Sequence, residues 1–295
     1  DALLRAACAF ADVTRQNPPA HYRSLGRSAF LAAALAADRK LDAVASSFDF
    51  LLSVSPINTA EAQSEFLAGG AARPPRFRYR PLEVDPDEAK RKLYSIDLAQ
   101  LEDPLLETLF AGKRREIEQQ LTMLATRITP DFRAASMLQY GAVEPSLLAE
   151  AEAILAAPLP AQPRGKMIGA SEVAAAARLL VNAYRNAAAG FDATIELRDD
   201  LAAGLMVSGD TLMVSTHTRM ANHRLDALLA HEVSVHLLTY FNGADQGLSI
   251  FRTGLAQYEG VQEGLGVFAE WLVGGLTVKR IRLLAARVVA VDAML

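Results

Sequence analysis

Two of the five histidines in the chain, His231 and His236, share one apolar run, LLAHEVSVHLLTYFNG at 228–243, with Glu232 directly after the first. Imidazole nitrogens bind divalent transition metals, and a carboxylate standing beside such an ion can take a proton from water. Either histidine alone reads as a satisfied side chain on a half-buried helix. With five histidines in 295 residues, a His-Glu pair followed by a His five positions after the first arises from composition in roughly one sequence in two hundred. The pair therefore points to a shared ligand.

The familiar zinc-helix spacing is four residues, which puts the imidazoles about 40° apart around an α-helix, whereas five residues put them about 140° apart. A π-bulge, at about 4.4 residues per turn, brings the five-residue spacing back to roughly 50°. The sequence thus predicts a locally widened helix with His231 and His236 as metal ligands and Glu232 beside the metal as general base. A catalytic zinc takes three protein ligands and leaves one position open. Of the downstream acids Asp245, Glu259, Glu263 and Glu270, Glu263 is the expected third ligand. It lies on the next helix, which can return antiparallel, and Gly264 and Gly266 let that helix come close at a propensity cost of about 1 kcal/mol each. Cys8 is the only cysteine, so any zinc site must use His and carboxylate, and the expectation is one Zn2+ per chain.

The elements that must position these residues read as follows. With 51% apolar residues over 295 positions, a substantial core can form. The formal charge of −4, with acids and bases mixed along the chain, gives no reason to expect nucleic acid or a membrane surface as partner. No apolar stretch approaches the roughly 20 residues that cross a bilayer. A single cysteine fits a reducing, cytoplasmic setting. The chain opens on Asp1 and stops without a C-cap signal, so both ends are expected to be cut, and the sequence does not decide targeting.

Residues 1–157 read as an N-terminal helical part. Helix starts are expected at Asp85-Pro86, Asp103-Pro104 and Thr129-Pro130, and an amphipathic helix over 104–126. The Gly- and Pro-rich 69–84 reads as an edge strand or extended arm with Arg76, Arg78 and Arg80 on one face. PLPAQPRGK at 158–166 is the expected linker. Residues 167–295 form the catalytic part: a helix over 171–189, a strand in ATIELRDDL, a hairpin over 203–215 turning at Gly209-Asp210, and helices over 222–241, 257–273 and after Gly274-Gly275. The class is α+β, mostly helical, with one compact unit in which the N-terminal helices pack round a metal core formed by 190–273.

HEVSVH followed by YEGVQEGLG resembles the microtubule-associated tyrosine carboxypeptidase family and its bacterial relatives, which carry a His-Glu-x-x-x-His helix and a QEGLA motif. SPINTAEAQSEF, FRYRPLEVDP, EDPLLETLF and GLMVSGDTLMVS are similar to further blocks of that family, so the likeness runs from about residue 50 to the end. The resemblance implies a zincin-like metallopeptidase with a small sheet beside the metal helices, in which His231, His236 and Glu263 match the zinc ligands and Glu232 the general base. It also implies a peptide or protein C-terminus as substrate; eukaryotic members remove the C-terminal tyrosine of α-tubulin. The sequence departs at Ser234-Val235, where Gly-Thr is common, at Gly247, where proline is usual, and at Gly266, where the motif ends in alanine. None of these removes a ligand. The richness in Ala, Leu and Arg reads as bacterial.

Peptide hydrolysis also needs a donor for the developing oxyanion and, in a carboxypeptidase, a cation for the terminal carboxylate. Tyr258, five residues before Glu263, is the candidate donor. Arg224, seven residues before His231 and so on roughly the same face, is the candidate cation, with the Arg76/Arg78/Arg80 arm as competitor. The hairpin offers an edge to an extended peptide. The rival readings are a non-catalytic metal-binding regulatory protein and a hydrolase of a non-peptide amide.

Overall fold

Asp-Pro pairs start two of the helices that frame the first half. In a computed structural model, which describes residues 32–101, 103–159, 165–188 and 190–295, the Asp85 carboxylate accepts from the N–H groups of Asp87 and Glu88. That of Asp103 accepts from Leu105 and Leu106. Each cap satisfies orphan donors while proline, fixed near helical φ, begins the turn. The third expected start is displaced: residues 127–131 form turns and the helix begins at Phe132; Thr129 Oγ1 accepts from Asp131 N–H and donates to the Thr126 carbonyl, which closes a turn before the helix.

The helices are α1 (Ala32–Ala45), α2 (Phe50–Val54), α3 (Thr59–Ala68), α4 (Pro86–Tyr94), α5 (Pro104–Thr126), α6 (Phe132–Tyr140) and α7 (Pro145–Ala156). The apolar stripe of α5 places Phe110, Ile117, Leu121 and Leu124 in one core with Ala34, Leu41 and Leu93. Each fully buried side chain of this kind stabilises the fold by about 1.5–3 kcal/mol. Leu248 and Ile250, from the far end of the sequence, enter the same core. The buried Asp38 on α1 accepts from the backbone N–H groups of Ser249 and Ile250, so the first helix holds the loop that follows the metal helix. The arm at 69–84 forms no ladder strand. It runs extended, with Asn58 bracketing Arg76 and Arg78, while Arg78 pairs with Glu61 and Arg80 with Asp200.

The expected linker at 158–166 lies partly outside the described residues, which resume at 165. After it come β1 (Met167–Gly169), α8 (Ala170–Ala187), β2 (Thr194–Arg198), β3 (Leu205–Ser208), β4 (Thr211–Ser215) and β5 (Arg219–Ala221). The hairpin forms as its sequence indicates: β3 and β4 pair antiparallel, from Leu205 with Val214 to Ser208 with Thr211. Gly209 supplies the left-handed turn residue at φ 56°. β2 pairs parallel to β4, giving the order β2-β4-β3, and β1 with β5 make a separate antiparallel ribbon. Against this sheet α8 buries Val173, Ala177 and Val181, spaced four apart, in a second core with Leu212, Val214, Leu229, Val233 and Leu237.

The remaining elements are α9 (Leu225–His231), a π turn (Glu232–Leu237), α10 (Leu238–Ala244), α11 (Glu259–Leu272) and α12 (Val278–Met294). The architecture is α+β and mostly helical. Arg282 of α12 donates to the carbonyls of Ile154 and Ala157, tying the last helix to the end of α7. No helix among the described residues is long and apolar enough to cross a membrane.

Candidate metal centre

Two spacings compete in the central helix. Leu229, Val233 and Leu237 recur every four residues and all enter the second core, while His231 and His236 are five apart and both line a cleft of about 690 Å³. A regular α-helix cannot hold both pairs in register. The chain resolves the conflict by widening over Glu232–Leu237, where Leu238 N–H donates to the Val233 carbonyl five residues back. The imidazoles then lie side by side, ring centroids 4.9 Å apart. Such bulges concentrate at functional sites because the extra residue re-aims a side chain without breaking the helix.

α11 brings the third donor. Glu263 Oε2 lies 3.5 Å from His231 Nε2, and Glu263 Oε1 lies 3.4 Å from His236 Nε2. Ligands about 2.1 Å from a tetrahedral ion stand about 3.4 Å from one another, so the three side chains fit a zinc ion in spacing and in donor type. Among the described residues three donors converge here, all within 4.8 Å of one another. The Glu263 side chain is 64% exposed, so the set opens on the cleft. Gly266 accounts for the close approach of α11: a Cβ there would fall 2.5 Å from His231 Cε1. Gly264 has open space around it and does not serve that purpose.

Behind His231 stands Glu270, whose carboxylate is 1% exposed. Its Oε1 lies 3.0 Å from His231 Nδ1. Arg280 bonds both its oxygens, at 2.7 to 3.2 Å, and Arg224 Nη2 donates to Oε2 at 2.8 Å. With Nδ1–H donating to this carboxylate, the lone pair of Nε2 is left facing Glu263, which is the tautomer a metal requires. Spaced seven from Glu263, Glu270 lies on nearly the same face of α11 two turns on.

The charge state of the cluster follows from burial set against its carboxylates. Burial pushes Glu232 up to about 7 against the pull of His231, with Glu263 adding to the rise. Burial lowers His236, favouring the neutral, ligating ring. At His231 burial works in the same direction, but hydrogen bonding to Glu263 and the charge of Glu232 outweigh it and its pKa is raised. Glu263 is held below the usual carboxylate range, chiefly by its hydrogen bond with His231. Burial opposes ionisation of Glu270, yet Arg280 and Arg224 keep it low. Three carboxylates thus surround one imidazole, an arrangement that a divalent cation relieves.

The loop entering α11 is fixed from the N-terminal half. On α5 the buried Lys113 and Glu116 pair at 2.5 Å. Lys113 also donates to the Thr253 carbonyl, and Glu116 accepts from Gln257 N–H. Gln257 has φ 64°, an unfavourable region for a side-chain-bearing residue, and the Glu116 bond holds it there. Tyr258 follows as the N-terminal flanking residue of α11.

His231, Glu232, His236, Glu263, Tyr258 and Arg224 all line the one cleft. The Arg224 guanidinium is engaged there: Nη2 bonds Glu270 and Nη1 bonds the Gly275 carbonyl. Receiving a ligand carboxylate would require Nε, or release of Glu270. The competing arm is tied down at Arg78 and Arg80 by Glu61 and Asp200. From the sequence alone Glu270 stands only as an alternative ligand, and its bond to His231 comes from the fold. The seven-residue spacing from Glu263 was the available signal; nothing local marked Arg280 or the Lys113–Glu116 pair.

A sequence model described as microtubule-associated tyrosine carboxypeptidase matches residues 64–295, a span that takes in every residue of the centre. No curated protein and no solved structure matches the chain.

Proposed function

The chain belongs to the microtubule-associated tyrosine carboxypeptidase family, and from that premise we propose that it is a zinc-dependent, zincin-like carboxypeptidase that removes a C-terminal aromatic residue from a peptide or protein. The observation that carries the reading is the 3.4 and 3.5 Å separation of the Glu263 oxygens from the two imidazoles, across a π turn that keeps Glu232 beside them. His231, His236 and Glu263 would hold one zinc. When bound, zinc supplies a Lewis acid that acidifies water and polarises a carbonyl.

The protein's own groups do the rest. Glu232, poised near neutrality by burial, accepts the proton of the attacking water and returns it to the leaving amine as the C–N bond breaks. The Tyr258 hydroxyl donates to the oxygen on which negative charge develops. Glu270 keeps His231 in the ligating tautomer. The terminal carboxylate is received on the arginine-bearing wall of the cleft, which includes Arg224, Arg252, Arg280 and Arg287. Arg252 is paired with Asp42, and Arg224 and Arg280 with Glu270. Among the described residues Arg287 makes no ion pair, and it is the side chain best placed to turn to a ligand in support of Arg224. A donor set of three that opens on a cleft favours catalysis over a closed structural site. The cytoplasmic setting expected from the single cysteine belongs to the same reading.

The test is hydrolysis of peptides ending in tyrosine by the full chain with zinc added, against the same peptides carrying a C-terminal amide. Release of free tyrosine from the acid alone, and its loss in His236→Ala together with zinc, is the expected result. Equal cleavage of acid and amide would remove the carboxypeptidase assignment.

A further inference from the structure

The metal cleft has a neighbour. A second cavity, of about 810 Å³, is walled by Phe66 of α3, Pro75 and Phe77 of the extended arm, Leu201 and Met220. Ala203, Gly204 and Leu228 line both cavities. The sill between them is therefore two small, exposed residues and one leucine three positions before His231. A Cβ at Gly204 would meet nothing nearer than Thr218 Oγ1 at 3.5 Å, so the fold does not need the sill to be this low.

β3 starts at that sill and runs along the cleft, with Leu205, Met206 and Val207 in its wall. In its sheet β3 pairs only with β4, so among the described residues its other edge carries no strand. An extended peptide can add to such an edge and advances roughly 3.4 Å per residue. Leu228 of the sill stands one turn before His231, and Gly209 at the far end of β3 faces Tyr240, so the metal donors lie partway along the strand and a chain with its last residue there reaches the sill within a few residues and enters the second cavity beyond it. The lining there pairs an apolar wall of Phe66, Phe77, Leu201 and Met220 with polar groups that include His217 and Arg219.

Resting on the carboxypeptidase reading, we propose that the second cavity is a subsite for the same substrate. It takes an apolar side chain a few residues upstream of the scissile bond, so the enzyme acts on extended C-terminal tails in preference to very short peptides.

The test compares peptides of about three and about eight residues with the same C-terminal pair, the longer carrying either leucine or serine at the upstream positions. Turnover is measured on the full chain with zinc, and binding on the zinc-loaded Glu232→Gln variant by fluorescence anisotropy. The expected result is a kcat/KM and an affinity about tenfold higher for the long leucine peptide, the scale set by burying one aliphatic side chain. The advantage falls toward one for the serine peptide, in Phe77→Ala, whose side chain is half-exposed and holds no core, and in Ala203→Trp, which raises the sill. Equal binding of long and short peptides, or an advantage untouched by both variants, overturns the subsite. Length-dependent binding without turnover would keep the subsite and defeat the catalytic reading instead; turnover without length dependence would do the reverse.

Discussion

Replacing Glu270 with glutamine probes how the first imidazole is held. In the native cluster one carboxylate serves His231 Nδ1 at 3.0 Å, Arg224 at 2.8 Å and Arg280 at 2.7 Å. The amide keeps the shape but loses the charge, and its NH2 must face a guanidinium or the imidazole N–H. The side chains of Arg224 and Arg280 are only 19% and 16% exposed, so water compensates them poorly. Removing one partner of a buried pair costs roughly 3–5 kcal/mol; with one acceptor oxygen retained, about 3 kcal/mol of stability should be lost. Loss of the group that orients a ligating histidine weakens metal binding about 10–100-fold. Zinc affinity would be read by competition with a chromophoric chelator at neutral pH, and stability by denaturant unfolding of the metal-free protein. A folded variant whose zinc affinity stays within about a factor of two of the parent would refute the assignment of Glu270 as the positioning group for His231.

Gly266→Ala places a Cβ 2.5 Å from the His231 ring, well inside the ~3.5–4.0 Å of ordinary contact. Zinc affinity should fall at least about tenfold, since ligand distances tolerate only about 0.2 Å, and unchanged affinity would show that α11 simply moves aside. Glu116→Gln leaves the buried Lys113 charge without its carboxylate, at roughly 3 kcal/mol, and Lys113→Met with Glu116→Leu, although it also breaks the bonds to Thr253 and Gln257, should cost less than the sum of the two single losses; additive losses in unfolding experiments would disprove the coupling. Asp200 is held below the usual carboxylate range, first by its hydrogen bond with Arg198 and then by Arg80. A depressed folded pKa means that the unfolded chain takes up the proton first, so its contribution is present above pH ~4 and fades as pH falls further. With the side chain one-third exposed, that contribution is on the order of 1 kcal/mol. The stability gap between parent and Asp200→Asn should therefore be present at neutral pH and close on acidification, and a gap that widens in acid would reverse the sign argued here.

What the sequence disclosed was what local rules govern. The five-residue spacing of His231 and His236 forces a widened helix if the two share an ion, and the π turn over Glu232–Leu237 is that widening. Asp85 and Asp103 cap where an acceptor precedes proline, and Gly209-Asp210 turns the hairpin. At Thr129-Pro130 the hydroxyl bonds both Thr126 and Asp131, which closes a turn, and the helix begins only at Phe132. The arm at 69–84 alternates like a strand, yet side-chain bonds from Asn58 satisfy its backbone in place of a ladder. The parallel pairing of β2 with β4 and the tether from Asp38 to Ser249 join residues far apart in sequence, for which no local pattern exists. Glu270 was visible as an acid on the right face of α11; its partner Arg280 comes from another helix, and only the fold brings them together.

In the proposed reaction Glu232 acts on the proton and not on the metal. Zinc content and release of C-terminal tyrosine should be measured on Glu232→Gln and Glu263→Gln side by side. Glu232→Gln should keep about one zinc per chain while turnover falls at least ~10²-fold, and Glu263→Gln should lose the metal because a neutral amide replaces a charged ligand. A Glu232→Gln protein that stays fully active, or that sheds zinc as Glu263→Gln does, would contradict that role of Glu232.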